Sequence, residues 1–356
     1  MRNWIRLAGA AAALAVAAGS AGAQEKLKVG FIYVGPRNDG GWSQRHEIGR
    51  QAVEEAFPGQ VETTYVENVS EGPDAERVIE QLARAGNKLI FTTSFGFMNP
   101  TLKVAQRFKD VKFEHATGFK QAANVATYNA RFYEGRYILG QIAAKMSKSG
   151  TAGYIASFPI PEVVMGINAF VIGARTLNPD FTVKVVWANT WHDPGKEADA
   201  AKVLLDQGVD ILAQHTDSPA ALQIAQERGA YAFGQASDMI EFAPKAQLTA
   251  IVDNWNPYYV ERVKAMLDGS WESHDVWYGI PEGMVEMAPY TNVPDDVKQM
   301  AEETEEKIRL GELHPFTGPI RKQDGSEAVA EGQTMPDSEL LGMNYYVEGV
   351  EGDLPK

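Results

Sequence analysis

From Lys28 onward, short β-rich runs alternate with stretches whose apolar residues recur every three or four positions, the period of a helix with one buried face. Residues 28–34 (KVGFIYV) predict a buried first strand. Residues 42–57 predict a helix with Ile48, Ala52, Val53 and Ala56 on one face, and 61–66 a second strand. The helix at 74–85 buries Val78, Ile79, Leu82 and Ala83 and stops at Gly86, a residue suited to the left-handed position after a helix. Strands follow at 89–93 and 111–115, then a longer helix at 131–148.

The pattern then begins again. A strand at 153–156 leads to a helix at 162–177 and a strand at 183–186. Asp193-Pro194 opens the next helix, Asp as cap and Pro in the first turn, and Gly208 closes it. After a strand at 211–213, Ser218-Pro219 repeats that opening and Gly229 ends the helix; strands follow at 231–233 and 248–252. Beyond Asn254 the pattern predicts a helix at 257–267, an irregular aromatic stretch at 271–278 and a last helix at 294–310. The tail from Phe316 is expected to be mostly irregular. Strand–helix alternation of this kind gives parallel sheets with helices on both faces, and two consecutive sets give two α/β lobes. Lobe 1 together with the C-terminal segments is expected to take 24–130 plus about 255–356, part of the latter crossing back to complete lobe 1; lobe 2 takes 131–254.

The first 23 residues stand apart. Arg2 and Arg6 precede an apolar run from Leu7 to Ala18, and Ala21-Gly22-Ala23 supplies small residues at −3 and −1 before Gln24. This is the layout of a cleaved secretory signal peptide. The run, about 12 residues, is too short for a membrane span, which needs roughly 20. The chain has no cysteine, which excludes disulfides, thiolate metal sites, a cysteine nucleophile and a lipidated N-terminus. The expected product is periplasmic and not a lipoprotein. A formal net charge of −14 argues against nucleic acid and against anionic membrane surfaces. No apolar run after the leader is long enough for membrane insertion.

Motifs of catalysis and cofactor binding are missing. G-x-x-x-x-G-K-[ST], G-x-G-x-x-G and G-x-S-x-G do not occur. The six histidines have no short metal-ligand spacing, so no metal, cofactor or catalytic residue is assigned, and each histidine reads as a loop, surface or core residue. The chemistry gathers instead where parallel sheets bind ligands, just beyond the carboxyl ends of the strands. Strand one is followed by residues 35–44 (GPRNDGGWSQ), in which two glycines let the backbone pass close to something and Trp42 stands at a helix entrance. Ser94-Phe95-Gly96 follows the third strand. In the second set, Asn189-Thr190-Trp191-His192-Asp193, His215-Thr216-Asp217, Gln235-Ala236-Ser237-Asp238 and Asp253-Asn254-Trp255 each follow a strand. Loop tryptophans can stack on a flat ligand and strand-end acids can accept its N–H or O–H groups. Together they suit a planar, donor-bearing ligand that is uncharged or weakly cationic. Plainer readings stand beside this: Trp42 as a packing cap, Asp193 as an N-cap, Asp217 as turn chemistry. Asp238 has no following helix that needs it.

At these residues the chain resembles the basic membrane protein family of ABC-transporter substrate-binding proteins, in its purine-nucleoside-receptor-like branch. The resemblance covers roughly 26–350 and rests on Lys28-Val29-Gly30, Asp39-x-x-Trp42-x-Gln44, Tyr133-Glu134-Gly135-Arg136-Tyr137, Gly166-x-x-x-Phe170, Trp191-x-Asp193 with Gly195-Lys196-Glu197, and Phe316-x-Gly318-Pro319. It implies the type I periplasmic binding fold: two doubly wound parallel-sheet lobes, joined by a hinge, that close on a purine and deliver it to an inner-membrane ABC permease. It implies Asp39 as the acid of the family's first-lobe loop. Trp42 and Trp191 stand in for two phenylalanines that clamp the ring, and Asp238 matches the acid that reaches ribose. Where nucleoside binders carry a Lys, this chain has Asp253, which favours a free nucleobase, adenine above others. The expected ligand-binding set is Asp39, Trp42, Ser94, Phe95, Trp191, Thr216, Asp217, Asp238 and Asp253, in a monomeric carrier that is not an enzyme. The alternatives are a purine nucleoside binder of the same fold, a sensory binding protein and a periplasmic nucleoside hydrolase.

Overall fold

The structure, a computed structural model, describes residues 25–355; the expected signal peptide at 1–23 lies outside the described residues. The first set of elements is β1 (Leu27–Ile32), α1 (Trp42–Ala56), β2 (Val61–Val66), α2 (Pro73–Arg84), β3 (Leu89–Thr92), α3 (Met98–Arg107), β4 (Lys112–Ala116) and β5 (Val125–Ala130). The second is α4 (Phe132–Met146), β6 (Thr151–Ala156), α5 (Pro161–Arg175), β7 (Thr182–Trp187), α6 (Pro194–Asp206), β8 (Ile211–Gln214), α7 (Ala220–Glu227), β9 (Tyr231–Gly234) and β10 (Gln247–Asp253). The chain closes with α8 (Asn256–Asp268), β11 (Asp275–Tyr278), β12 (Val285–Met287), α9 (Asp295–Arg309), β13 (Ile320–Arg321), β14 (Glu327–Val329), α10 (Asp337–Leu340) and β15 (Val350–Glu351).

Two large sheets result, as the alternation requires, beside a two-stranded antiparallel ribbon of β13 and β14. The first runs β11-β5-β4-β3-β1-β2 and every pairing in it is parallel. The second runs β12-β10-β9-β8-β6-β7-β15, parallel except for β12 against β10. Helix α2 shows the local logic. Pro73 opens it, Asp74 and Glu76 sit in its positive first turn, its apolar stripe Ala75, Val78, Ile79, Leu82 and Ala83 is buried, and Gly86 follows at φ 91°.

Three segments differ from the pattern. Strand β5 follows β4 after a short loop with no crossover helix, so nothing in the periodicity announces it. The aromatic stretch at 271–278 is not irregular: Asp275–Tyr278 pairs in parallel with β5 and is the edge of the first sheet. Nor does the chain stay with the first lobe after Asn254. The short link from Tyr278 to Val285 carries the chain from one sheet to the other, where β12 lies antiparallel on β10; Val350–Glu351 later joins that sheet beside β7. The chain thus passes between sheets near Ala130–Phe132, Asp253–Asn256 and Tyr278–Val285. The tail is fixed by Asn168, whose Nδ2 donates to the Tyr345 carbonyl (2.8 Å) and whose Oδ1 accepts from Val347 N (3.1 Å).

Helices α4 and α5 form the middle of the second lobe. Residues 132–143 of α4 are all buried. A Cβ on Gly140 would land on the Phe170 carbonyl, and one on Gly173 on the Tyr137 carbonyl, so the two backbones meet with no side chain between them. Helix α8 is tied to the first sheet by a buried ion pair, Arg262 Nε to Glu114 Oε1 at 2.6 Å, with Tyr258 and Trp271 also donating to Glu114.

Candidate ligand site between the lobes

The carboxyl ends of both sheets face one cleft, and the lobes touch across it. The Ser237 hydroxyl, after β9, donates to the Gly40 carbonyl of the first-lobe loop. A Cβ on Gly41 would lie 2.6 Å from the Asp217 carbonyl, and Gly40 holds φ 90° beside Pro219. Only glycine lets this loop come so close, so what the loop approaches is the backbone of the other lobe.

Inside the contact lies a narrow pocket, nearly filled by its own walls in this closed form. Val34, Trp42, Ser94, Phe95 and Thr117 line it from the first lobe; Glu162, Trp191, His215, Asp217 and Gln235 line it from the second. Trp42 begins α1. Its Nε1 donates to the Thr93 carbonyl (2.7 Å), and its ring stands edge-on to His46 and Trp255, with centroids 4.5 and 5.5 Å away. Asp39 holds this helix entrance. Its carboxylate accepts from Gly41 N (2.9 Å), Ser43 N (2.8 Å) and Gln44 N (3.0 Å), as an N-cap does, although the helix begins only at Trp42. Ser94 donates to Glu71 Oε1 at 2.6 Å.

Opposite, Trp191 packs against Phe158 (5.1 Å between centroids) and its Nε1 has no partner. Its carbonyl accepts from Asp217 N at 3.0 Å, which joins the loops after β7 and β8. Asp193 is the N-cap of α6, accepting from Lys196 N at 3.1 Å. Glu197 completes the joint: it accepts from Asp193 N (2.9 Å), Ser218 N (3.0 Å) and the Ser218 hydroxyl (2.7 Å). Glu162 enters from the first turn of α5, with Oε1 3.6 Å from His215 Nε2 and Oε2 buried without a partner. His215 Nδ1 is also unpartnered, and burial holds this imidazole below its ordinary pKa, hence neutral. Burial, reinforced by the charges of Asp39, Glu197 and Asp253, drives the Asp217 carboxyl well above the usual carboxylate range.

Of the nine expected ligand residues, Trp42, Ser94, Phe95, Trp191 and Asp217 line the cavity. Asp39 is occupied as a cap. Thr216 is fully buried with its hydroxyl unpartnered but is not among the lining residues. Asp238 is exposed and does have a local task, accepting from Ile240 N (3.0 Å) and Gln247 Nε2 (2.6 Å). Asp253 is fully buried with both carboxylate oxygens unpartnered, and burial raises it well above its ordinary pKa against the pull of Arg45 and Arg136. The expected set left out Val34, Thr117, Glu162, His215 and Gln235, although His215 and Gln235 stand in the strand-end loops from which it was drawn. All but Glu162 directly follow or nearly follow a strand, so the strand-end rule already held their signal. Glu162 comes from a helix start, where that rule does not look. Among the described residues, no group of three or more His, Cys, Asp or Glu side chains could hold a metal ion.

The family model described as ABC transporter substrate-binding protein, PnrA-like, matches residues 26–314. A purine-binding protein of Brucella abortus is 65% identical over 338 residues, which span 95% of this chain and 97% of that one. A chain of Haloferax volcanii that carries the name of an ABC transporter glucose-binding protein is 37% identical over 332 residues, 93% of this chain and 82% of its own length. A solute-binding protein of an ABC transporter system from Aeropyrum pernix K1 superposes with a TM-score of 0.70 at 19% identity, covering 89% of this chain and 98% of that structure; at that identity the likeness is one of fold.

Proposed function

This chain belongs to the PnrA-like family of ABC transporter substrate-binding proteins, and from that premise we propose that it captures a purine nucleobase, adenine above others, between its two lobes. It is a binding protein rather than an enzyme, as its family is. One observation carries the ligand reading. Indoles from opposite lobes, Trp42 and Trp191, face a single narrow cavity whose second-lobe wall presents buried polar atoms with no protein partner. Stacking between two aromatic faces accepts any planar base, while unpartnered buried polar atoms demand hydrogen bonds from whatever fills the space. The cavity favours a base over a nucleoside: it is narrow, and Asp238, the position expected to reach ribose, is exposed and bonded elsewhere. The name of the Brucella relative supports the ligand class.

In this reading the lobes open at the three crossovers and close on the ligand, which shifts a pre-existing equilibrium by binding the closed form better. The closed protein, a freely diffusing periplasmic monomer once its leader is removed, then delivers the base to an inner-membrane permease. Titration calorimetry of unfolded, washed and refolded protein with adenine, adenosine, guanosine, urate and glucose tests the proposal. Micromolar or tighter adenine binding with weaker adenosine binding is expected. Binding of no purine overturns it, and binding of glucose alone transfers the site to the sugar class of the Haloferax relative's name.

A further inference from the structure

Arg136 is fully buried on α4, its guanidinium carbon 5.6 Å from the centre of the Tyr154 ring. Its Nη2 donates to Gln235 Oε1, while Nε and Nη1 have no partner. A guanidinium has donors only, so the Gln235 atom facing it must be the carbonyl oxygen; flipping the amide would bury N–H against N–H. The other end of that amide, Nε2, takes no protein acceptor among the described residues, and Gln235 lines the cavity. Glu162 presents the opposite character to the same space, a buried oxygen with no donor.

We propose that Arg136 is a positioning residue that locks Gln235 as a hydrogen-bond donor, so that the second-lobe wall reads an acceptor on the ligand at Gln235 and a donor at Glu162. This rests on the purine reading above and sharpens it to the class of 6-aminopurines. Adenine carries an exocyclic N–H₂ donor flanked by ring-nitrogen acceptors. In hypoxanthine the exocyclic group is an oxygen acceptor and N1 carries a hydrogen, so the same edge has its polarity reversed. A site whose amide could flip would accept either base; one whose amide is pinned by a cation pays an unmade buried hydrogen bond with the wrong one. Burial pulls the Arg136 pKa down, and Tyr154, Asp253 and Glu162 beside it act in the opposite sense.

The test is the ratio of adenine to hypoxanthine affinity in the wild-type protein and in two variants. Wild type is expected to prefer adenine at least tenfold. Gln235→Glu keeps its partner at Arg136 as an ion pair but turns a carboxylate oxygen toward the ligand, so adenine weakens and the ratio falls tenfold or more. Arg136→Met frees the amide to flip, so the ratio falls toward one. Should Arg136→Met fail to fold, Gln235→Glu decides alone. A wild type that binds both bases equally, or variants that weaken both alike and leave the ratio unchanged, overturns the donor lock while the purine reading stands. A wild type that binds no purine overturns both.

Discussion

The two walls of the cavity treat their polar atoms differently. On the first-lobe side Trp42 Nε1 donates to Thr93, the Asp39 carboxylate is filled by three backbone N–H groups, and the Ser94 hydroxyl donates to Glu71. On the second-lobe side Trp191 Nε1, Glu162 Oε2 and His215 Nδ1 are buried and unpartnered. Buried polar groups left unmade cost about 1–3 kcal/mol each, which is tolerable only where something else completes them. The contrast assigns the labour. Under the proposed function, the first lobe would offer a rigid aromatic platform that needs nothing further, and the second would read the chemistry of what lands on it.

If both walls must meet, the largest effect comes from keeping them apart. Gly41→Val would drive side-chain atoms into the Asp217 backbone, which a Cβ alone already reaches at 2.6 Å. Gly41 is no part of the buried apolar cluster that runs through both lobes, so the melting temperature is expected to hold. Affinity should drop by about a thousandfold, ~4 kcal/mol, because one whole wall is lost to the ligand. Calorimetry reads the affinity, and small-angle scattering should show no ligand-induced compaction. Unchanged affinity would mean that the contact of Gly41 with Asp217 is not the binding-competent state.

A second effect belongs to the pivot shared by the walls and should leave selectivity alone. Glu134, on α4, accepts from Ile280 N (2.7 Å) in the Tyr278–Val285 crossover. Burial raises its pKa from 4.5 to about 7, against the pull of that N–H and of Arg131. The folded form therefore holds the proton longer than the unfolded chain. Stability is fully present below about pH 4.5, falls as pH rises toward 7, and levels off above, a loss of up to ~3 kcal/mol. Glu134→Gln should remove this slope, so that its denaturation midpoint gains on wild type between pH 5 and pH 8 while the adenine-to-hypoxanthine ratio stays fixed. Parallel pH profiles for the two proteins would show that Glu134 is not protonated as its burial implies.

The tryptophans test the division of labour itself. Trp42→Ala and Trp191→Ala should each weaken purine binding by about 2 kcal/mol, as loss of base–aromatic stacking does. Only Trp42→Ala is expected to lower thermal stability as well, since that ring packs on His46, Phe132 and Trp255 and carries a hydrogen bond. Equal stability losses would erase the distinction between a built platform and an open wall.

That distinction also marks how far the sequence could be read. Strand–helix alternation located both sheets, and the strand-end rule led to Trp42 and Trp191, because a loop tryptophan stands out in composition as well as in place. Strand β5 was invisible because a loop, and no helix, returns the chain for its parallel pairing. Asp275–Tyr278 was hidden because a four-residue edge strand, with no residue fully buried, shows no buried run. The acids were harder still. Asp39 and Asp238 sit where ligand residues are expected, yet the backbone N–H groups of Gly41, Ser43 and Gln44 claim the one, and Ile240 and Gln247 the other; competition of this kind is decided by turn geometry that sequence does not state. Glu162 and Gln235 acquire meaning only from Arg136 and His215, whose proximity is tertiary.

The smallest expected effect falls on Glu162 and asks whether the open wall truly hydrogen-bonds its ligand. Glu162→Gln keeps the size of the side chain and one carbonyl acceptor but removes the charge and adds a donor. If a ligand N–H faces Oε2, adenine affinity should fall by about 1.5 kcal/mol, roughly tenfold, the difference between a charge-assisted hydrogen bond and a neutral one. Stability should hardly move, since in the free protein Glu162 has only the 3.6 Å approach to His215 and that imidazole is neutral. Calorimetry beside thermal denaturation separates the two readouts. A stability loss with affinity intact would place Glu162 with the platform, as a group that holds His215 for the fold, and would leave Gln235 as the residue through which the second lobe reads its ligand.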